Sequence, residues 1–135
     1  MSESRTHAIL VTAIVSWVHE TCCQAPGIVR VDSADTAIGT RPPAIISYVP
    51  DVYISNAGGY DVIVGEAKTA RDLERPHSQA QFAAFLSWCG RHSDSLLVVA
   101  VPWYMTRAAR NLIRHLQQRT NTQRVRTIVL DRLGG

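Results

Sequence analysis

The triplet Glu66-Ala67-Lys68 ends an apolar stretch and contains the only lysine in a chain with 14 lysine and arginine residues. Residues two apart in a strand point to the same face, so Glu66 and Lys68 are predicted to project together and Ala67 the other way. Asp51 begins the preceding apolar run DVYI, and a hairpin between the two runs would bring it beside Glu66. The sequence therefore predicts two carboxylates and an ammonium group at one place.

This combination of groups is suited to metal-dependent phosphodiester hydrolysis. Hard divalent ions such as Mg²⁺ bind oxygen ligands, usually one or two carboxylates with water and substrate phosphate. The ion neutralises phosphate charge and lowers the pKa of bound water, while a compact lysine ammonium can orient that water. The alternative is a surface Glu-Lys pair on an edge strand, which would contribute little. The apolar residues around the triplet and the upstream Pro50-Asp51 favour the metal site.

Apolar periodicity and turn signals predict an α/β fold in which a mixed sheet lies between helices, in the order α-β-β-β-α-β-α-β. Ser95–Val101 is apolar throughout, which is typical of a central strand covered on both sides. The predicted segments are helix Thr6–Thr21, strand Ile28–Val31, loop Asp32–Pro43, strand Ile45–Ile54, turn Ser55–Gly59, strand Tyr60–Lys68, charged connection Thr69–Pro76, helix His77–Cys89, strand Ser95–Val101, helix Tyr104–Arg119 and strand Arg124–Leu130, the last near the sheet edge.

The length and composition are those of an ordinary globular protein. A chain of 135 residues with 46% hydrophobic and 19% charged residues predicts one domain, residues 1–135. The apolar run from Ala8 to Val18 is too short to span a bilayer, so we expect a cytoplasmic protein with no membrane segment. Net charge is +3, but residues 103–135 contain seven arginines and one acidic residue. An acidic site beside a basic flank suits a protein that holds metal ions and phosphates.

Other chemistries have less support in the sequence. The three cysteines Cys22, Cys23 and Cys89 match neither a disulfide framework nor zinc-ligand spacing, and we expect reduced thiols. There is no Gly-rich phosphate loop, no serine nucleophile elbow and no metal-binding histidine motif. Among the other acidic residues, Asp61 is predicted to point to the opposite face from Glu66, and Asp72 is predicted to be solvated.

The pattern Pro50-Asp51 followed by Glu66-Ala67-Lys68 resembles the motif of the PD-(D/E)xK superfamily, the restriction-endonuclease-like nucleases. The predicted element order is similar to the core of that superfamily. The stretch from Arg41 to Leu86, about a third of the chain, also resembles small nuclease-like proteins of bacteria and phages. The resemblance implies a restriction-endonuclease-like fold and a Mg²⁺-dependent nuclease, with Mn²⁺ able to substitute.

The resemblance also implies roles for individual residues. Asp51 and Glu66 would bind the metal together with the carbonyl of Ala67, and Lys68 would assist the nucleophilic water. Superfamily members often carry a glutamate on the first helix, where Glu20 fits as a further metal ligand and catalytic residue; the alternative is a solvated helix end. They also often carry a glutamine early in the helix after the lysine strand. Gln81 fits that position better than Gln79, and the alternative is an exposed helix residue.

Arg107, Arg110 and Arg114 follow helical spacing and form one polar stripe that could bind a nucleic-acid backbone. A solvated amphipathic helix explains the stripe equally well. The resemblance favours DNA over RNA as substrate, and a single active site per chain predicts a homodimer if both strands are cut. The second hypothesis is a catalytically silent or partner-dependent nucleic-acid-binding or assembly subunit with the same fold, within a larger complex.

Overall fold

The computed structural model describes residues 5–21, 29–32 and 41–130. Its helices and strands follow one another in the order that the apolar pattern predicts, with one additional short helix. The elements are α1 (Arg5–Thr21), β1 (Arg30–Val31), β2 (Val52–Ala57), β3 (Tyr60–Ala67), α2 (Ala70–Leu73), α3 (Pro76–Cys89), β4 (Ser95–Ala100), a 3₁₀ turn (Trp103–Met105), α4 (Thr106–Thr120) and β5 (Arg126–Leu130).

The five strands form one mixed sheet in the order β1-β2-β3-β4-β5. β2 pairs antiparallel with β1 and β3, whereas β4 runs parallel to β3 and to β5. The predicted hairpin, formed by β2 and β3, is therefore confirmed. β4 lies inside the sheet, as its apolar sequence predicts, and β5 is an edge strand. Because β3 and β4 are parallel, their carboxyl ends meet at the same edge of the sheet, which is where ligands bind in open α/β sheets.

The helices cover the sheet on both faces. α1 packs on one face through a cluster that includes Ile14, Val52 and Ile63, and α3 and α4 pack on the other through a cluster that includes Val64 and Phe85. The alternation of side chains along β2 and β3 explains the split, since neighbouring residues point to opposite faces. Both clusters are almost fully buried, so the two layers are held by apolar packing on either side of the sheet.

Gly65 allows α1 to approach β3 closely. A methyl group at this position would lie 2.8 Å from Ile14 Cγ2 and 3.0 Å from Val52 Cβ. Neither neighbour has room to move, because both are fully buried. The absence of a side chain at residue 65 therefore brings the first helix against the hairpin, directly beside Glu66.

Some predicted boundaries are wrong. The predicted strand Ile45–Ile54 begins only at Val52. Before it, Ile45 and Tyr48 close a tight turn, which the local apolar pattern does not reveal.

The predicted turn Ser55–Gly59 is shorter, because β2 continues to Ala57 and the chain reverses at Gly58 and Gly59, with φ of 60° and 83°. These positive angles are those of a type I′ hairpin turn, which glycine adopts without strain. Within the predicted connection Thr69–Pro76, Ala70–Leu73 form α2.

None of the helices in the described parts of the chain is long and apolar enough to cross a membrane.

Cys89 is a free thiol in the core, and burial raises its pKa to about 12, so it stays protonated and unreactive near neutral pH. Cys22, Cys23, Ile28 and most of the predicted loop Asp32–Pro43 lie outside the described residues.

Candidate active site

Asp51, Glu66 and Lys68 converge at the carboxyl end of β3. Val52 pairs with Gly65 in the hairpin register, so Asp51 and Glu66 are the next opposed residues. Side-chain alternation places Glu66 on the face that α3 covers, with Val64, whereas the Asp51 carboxylate lies at the end of the hairpin, between the Ala67 N–H and His7 of α1. The predicted convergence of the two acidic residues is thus present, and it follows directly from the hairpin register.

Backbone contacts hold Asp51 from two sides. Its N–H donates to Oε1 of Glu66 at 3.0 Å, and its carbonyl accepts the N–H of Asp32 at 2.9 Å. Its carboxylate Oδ2 accepts the N–H of Ala67 at 2.9 Å and lies 3.1 Å from Nε2 of His7. The side chain is 11% exposed, so one carboxylate links α1, β2 and the end of β3 at a nearly buried position.

Glu66 is a buried carboxyl group with a raised pKa. Only 3% of the residue is exposed, and burial is the main cause of the shift. The neighbouring carboxyl of Asp51 raises the pKa further through its charge and a side-chain hydrogen bond, whereas the Lys68 ammonium lowers it. The balance is an increase, so the local environment disfavours the charged form of Glu66.

Lys68 follows β3 directly and reaches back to the acidic pair. Its Nζ lies 3.3 Å from Oε2 of Glu66 and donates a hydrogen bond to Oε1 of Gln81 on α3. Its backbone N–H donates to the carbonyl of Ala100 at the end of β4, at 3.0 Å. The structure therefore brings Gln81 to the predicted cluster, where it fixes the position of the ammonium group.

The donor groups fit a hard divalent cation. Two carboxylates and one ammonium would give the fully ionised cluster a net charge of −1, which a bound cation would offset. The Ala67 N–H points toward Asp51, and in a strand the carbonyl of the same residue points to the same side. Within the described ranges no group of three or more His, Cys, Asp or Glu side chains is arranged to hold a metal. A Mg²⁺ site needs only one or two carboxylates, because water and phosphate complete it.

His7 is a site residue that the sequence did not reveal. It lies in the first turn of α1, 44 residues from Asp51, and its side chain is 24% exposed. Its ring nitrogen orients Oδ2 of Asp51, as partners of metal-binding carboxylates commonly do. No local motif marks this histidine; only the packing of α1 on the hairpin brings it to the site.

Glu20 is not part of the cluster, which corrects the predicted role. It lies 13 residues after His7 on α1, about 20 Å along the helix at the usual rise per residue, and it is exposed. The first turn of the helix faces Asp51 and Glu66, so the last turn lies far from them.

Asp61 is also remote from the cluster, at the other end of β3, where its Oδ2 lies 3.4 Å from the backbone nitrogen of Asp94. Asp72 accepts a hydrogen bond from Thr69 in the connection after β3.

Arg107, Arg110 and Arg114 lie on α4, and all three are exposed. Arg110 and Arg114 border a cavity of about 190 Å³ between α4 and β5, with Thr127 and Val129 opposite. α4 begins just beyond the carboxyl end of β4, so the stripe runs away from the edge of the sheet that holds the acidic pair. The three guanidinium groups are therefore accessible to solvent on this helix.

Comparison with known proteins gives no match: no family model, curated protein or solved structure shows significant similarity to the chain. The resemblance to the PD-(D/E)xK superfamily consequently depends on the spacing of Asp51, Glu66 and Lys68 and on the geometry that brings them together.

Proposed function

We propose that the protein is a metal-dependent nuclease that hydrolyses phosphodiester bonds with Mg²⁺, for which Mn²⁺ can substitute. The observation that carries the proposal is the buried contact between Asp51 and Glu66, with the Lys68 ammonium 3.3 Å from Glu66. Burial, and after it the Asp51 carboxyl, raises the pKa of Glu66, so the pair is costly to ionise in the core and a bound metal ion would offset that cost.

Each residue of the cluster has a role in this proposal. Asp51 and Glu66 would hold the ion, with the Ala67 carbonyl as a third oxygen ligand. When bound, the ion would supply charge neutralisation at the phosphate and a lowered pKa for the attacking water. Lys68 would orient that water and stabilise the negative charge that develops on the phosphate. Gln81 would hold the ammonium, and His7 would hold the Asp51 carboxylate.

The proposed substrate is DNA. The exposed arginines Arg107, Arg110 and Arg114 would bind its phosphates, since guanidinium groups pair well with phosphate oxygens. The restriction-endonuclease-like topology belongs to the same proposal, supported by the mixed five-stranded sheet with helices on both faces. Cleavage of both strands would require a homodimer or a larger complex, because the described residues of one chain supply one such cluster.

A catalytically silent or partner-dependent nucleic-acid-binding subunit is the second candidate, and one observation favours it. Three of the four carboxylate oxygens already have protein partners: Asp51 Oδ2, Glu66 Oε1 and Glu66 Oε2. The cluster is therefore largely satisfied internally, and a metal ion would have to compete with these contacts or use the remaining oxygen.

Incubation of the purified full chain with plasmid DNA and with single-stranded DNA separates the two candidates. A nuclease is expected to cut at least one of the two substrates with Mg²⁺ or Mn²⁺ and to stop when EDTA is added. Tight DNA binding without cleavage in either metal would instead support the binding subunit. Omission of metal and a heat-denatured sample serve as controls for contaminating activity.

A further inference from the structure

Four of the five exposed large hydrophobic side chains of the described residues lie in segments next to the candidate active site. We name these four the apolar rim: Ile46, Val49, Trp103 and Tyr104, with exposures of 60, 38, 59 and 61%. Two precede Asp51 by five residues or fewer, and two follow the end of β4 by four or fewer. Isolated exposed apolar residues are common, but four in the segments that border one site indicate a binding surface.

Trp103 and Tyr104 are close to the acidic cluster. The carbonyl of Ala100 accepts the N–H of Lys68, and Trp103 is three residues further on, so the Cα atoms of Ala100 and Trp103 are at most about 11 Å apart. The two rings meet edge to face with centroids 5.8 Å apart. Each ring therefore keeps a face available, at a distance that a nucleotide next to the reacting phosphate can reach.

Ile46 is exposed at a turn whose backbone is strained. The N–H groups of Ile45 and Tyr48 each donate to the other's carbonyl, at 2.7 and 3.0 Å, and close a two-residue turn. Its central residues Ile46 and Ser47 have φ of 50° and 74°, a conformation that favours Asn-Gly. A β-branched residue with positive φ is a true outlier, and such strain concentrates at functional sites. If this turn served folding alone, Asn-Gly would be favoured over Ile46-Ser47. Contact with a ligand therefore explains the exposed isoleucine better than a purely structural role does.

We propose that the apolar rim binds unpaired nucleobases, so that the substrate class is single-stranded nucleic acid or a duplex with unpaired ends. The inference rests on the proposed nuclease function and narrows its substrate. Bases stack on aromatic rings when they are free of a partner strand, whereas an intact duplex hides their faces. Arg107, exposed three residues after Tyr104 at the start of α4, would supply a positive charge for the adjoining phosphate.

Fluorescence anisotropy of a labelled single-stranded 12-mer and the matching duplex, in EDTA to prevent cleavage, tests the rim. The wild-type chain is expected to bind the single strand at least about tenfold more tightly. The W103A/Y104A variant should lose about 10- to 100-fold on the single strand and less than about twofold on the duplex. W103F and Y104F, which keep the rings, should lose much less, and Arg91→Ala at the opposite end of β4 serves as the control. Equal affinity for both ligands, or an equal loss on both, would overturn the proposal.

The strained turn gives an independent test. The I46N/S47G variant should raise the melting temperature by about 3 to 8 °C, because Asn-Gly relieves the positive-φ strain. The same variant should bind the single strand several-fold more weakly, since the isoleucine is removed. A more stable variant with unchanged single-strand binding would show that Ile46 does not contact the bases.

Two further outcomes distinguish the possible failures. A wild-type dimer in sedimentation velocity that becomes monomeric in W103A/Y104A, with unchanged DNA binding, would assign the rim to self-association and overturn the proposal. Metal-dependent cleavage of duplex plasmid together with no single-strand preference would leave the nuclease function intact and refute only the rim. Single-strand binding that depends on the two rings, without cleavage, would retain the rim and refute catalysis.

Discussion

Asp51, just before β2, and Glu66, near the end of β3, are in direct contact, because the Asp51 N–H donates to Glu66 Oε1 at 3.0 Å. Burial, and after it the neighbouring Asp51 carboxyl, raises the pKa of Glu66. A divalent cation bound between the two carboxyl groups would offset the cost of ionising both in this buried place. The geometry is therefore one that binding of a cation would stabilise.

Glu66→Gln is expected to stabilise the metal-free fold above pH 7. The folded-state pKa of Glu66 lies above its ordinary value of 4.5, so the folded chain binds more protons than the unfolded chain. Stability is consequently lost as pH rises from about 4.5 through the raised pKa and stays low above it. Glutamine cannot ionise, so the variant should melt higher at pH 8, with a smaller difference near pH 4, in thermal scans with EDTA.

Glu74→Gln is the matched control, since Glu74 is exposed and lies outside the cluster. It should melt close to the wild type at every pH. If Glu66→Gln is less stable than the wild type at pH 8, the surroundings of residue 66 favour the charged carboxylate. The charge of the Asp51–Glu66 pair would then be compensated by the protein without a metal ion.

Metal binding is expected to strengthen as pH rises. Glu66 must lose its proton to act as a ligand, so Mn²⁺ affinity should increase by up to about tenfold per pH unit below the raised pKa. Calorimetric titration in buffers of different ionisation enthalpy measures both the affinity and the proton released. Asp51→Asn and Glu66→Gln should each abolish measurable binding, and pH-independent binding by the wild type would contradict the assignment of Glu66 as ligand.

His7→Ala is expected to weaken Mn²⁺ binding and cleavage by about 10- to 100-fold, because the Asp51 carboxylate loses the ring nitrogen 3.1 Å from Oδ2. Thr12→Ala, exposed on the same helix, is the control and should change neither quantity. Affinity and rate that match the wild type would show that His7 does not position Asp51.

Gly65→Ala is expected to destabilise the fold by about 1 to 3 kcal/mol, since the new methyl group would meet Ile14 at 2.8 Å and Val52 at 3.0 Å. Urea unfolding measures the loss. At Gly90 the nearest atom is a Thr122 methyl group at 3.2 Å, and φ is −63°, so Gly90→Ala is a milder control. Equal stability of both variants would contradict the close packing of α1 on β3.

The sequence predicted what local pattern determines. Alternation placed Glu66 and Lys68 on one face, the double glycine of residues 58 and 59 marked the hairpin, and the hairpin register opposed Glu66 to Asp51. These features depend on residues close in the chain or on a short connection. Gln81, which the resemblance implied, lies at the cluster because α3 follows β3 after the short helix α2 and brings this side chain to Lys68.

Long-range packing was beyond local pattern. Helical periodicity shows which face of α1 is apolar but not which of its ends approaches Asp51, so it cannot separate Glu20, which the resemblance implied, from His7, which contacts Asp51. The turn at Ile46 and Ser47 was missed for a related reason, because its residues are poor formers of the conformation they adopt. In both cases a long-range contact decides the structure against the local signal.

Cleavage by the Lys68→Ala variant tests the central claim most directly. The Lys68 ammonium contacts Glu66 and Gln81 within the proposed site, so its loss should reduce Mg²⁺-dependent cleavage of both plasmid and single-stranded DNA by at least about 100-fold while circular dichroism shows a native fold. Arg75→Ala, which removes an exposed cation paired with Asp72, should cleave like the wild type. Undiminished, EDTA-sensitive cleavage by Lys68→Ala would contradict the assignment of this cluster as a nuclease centre.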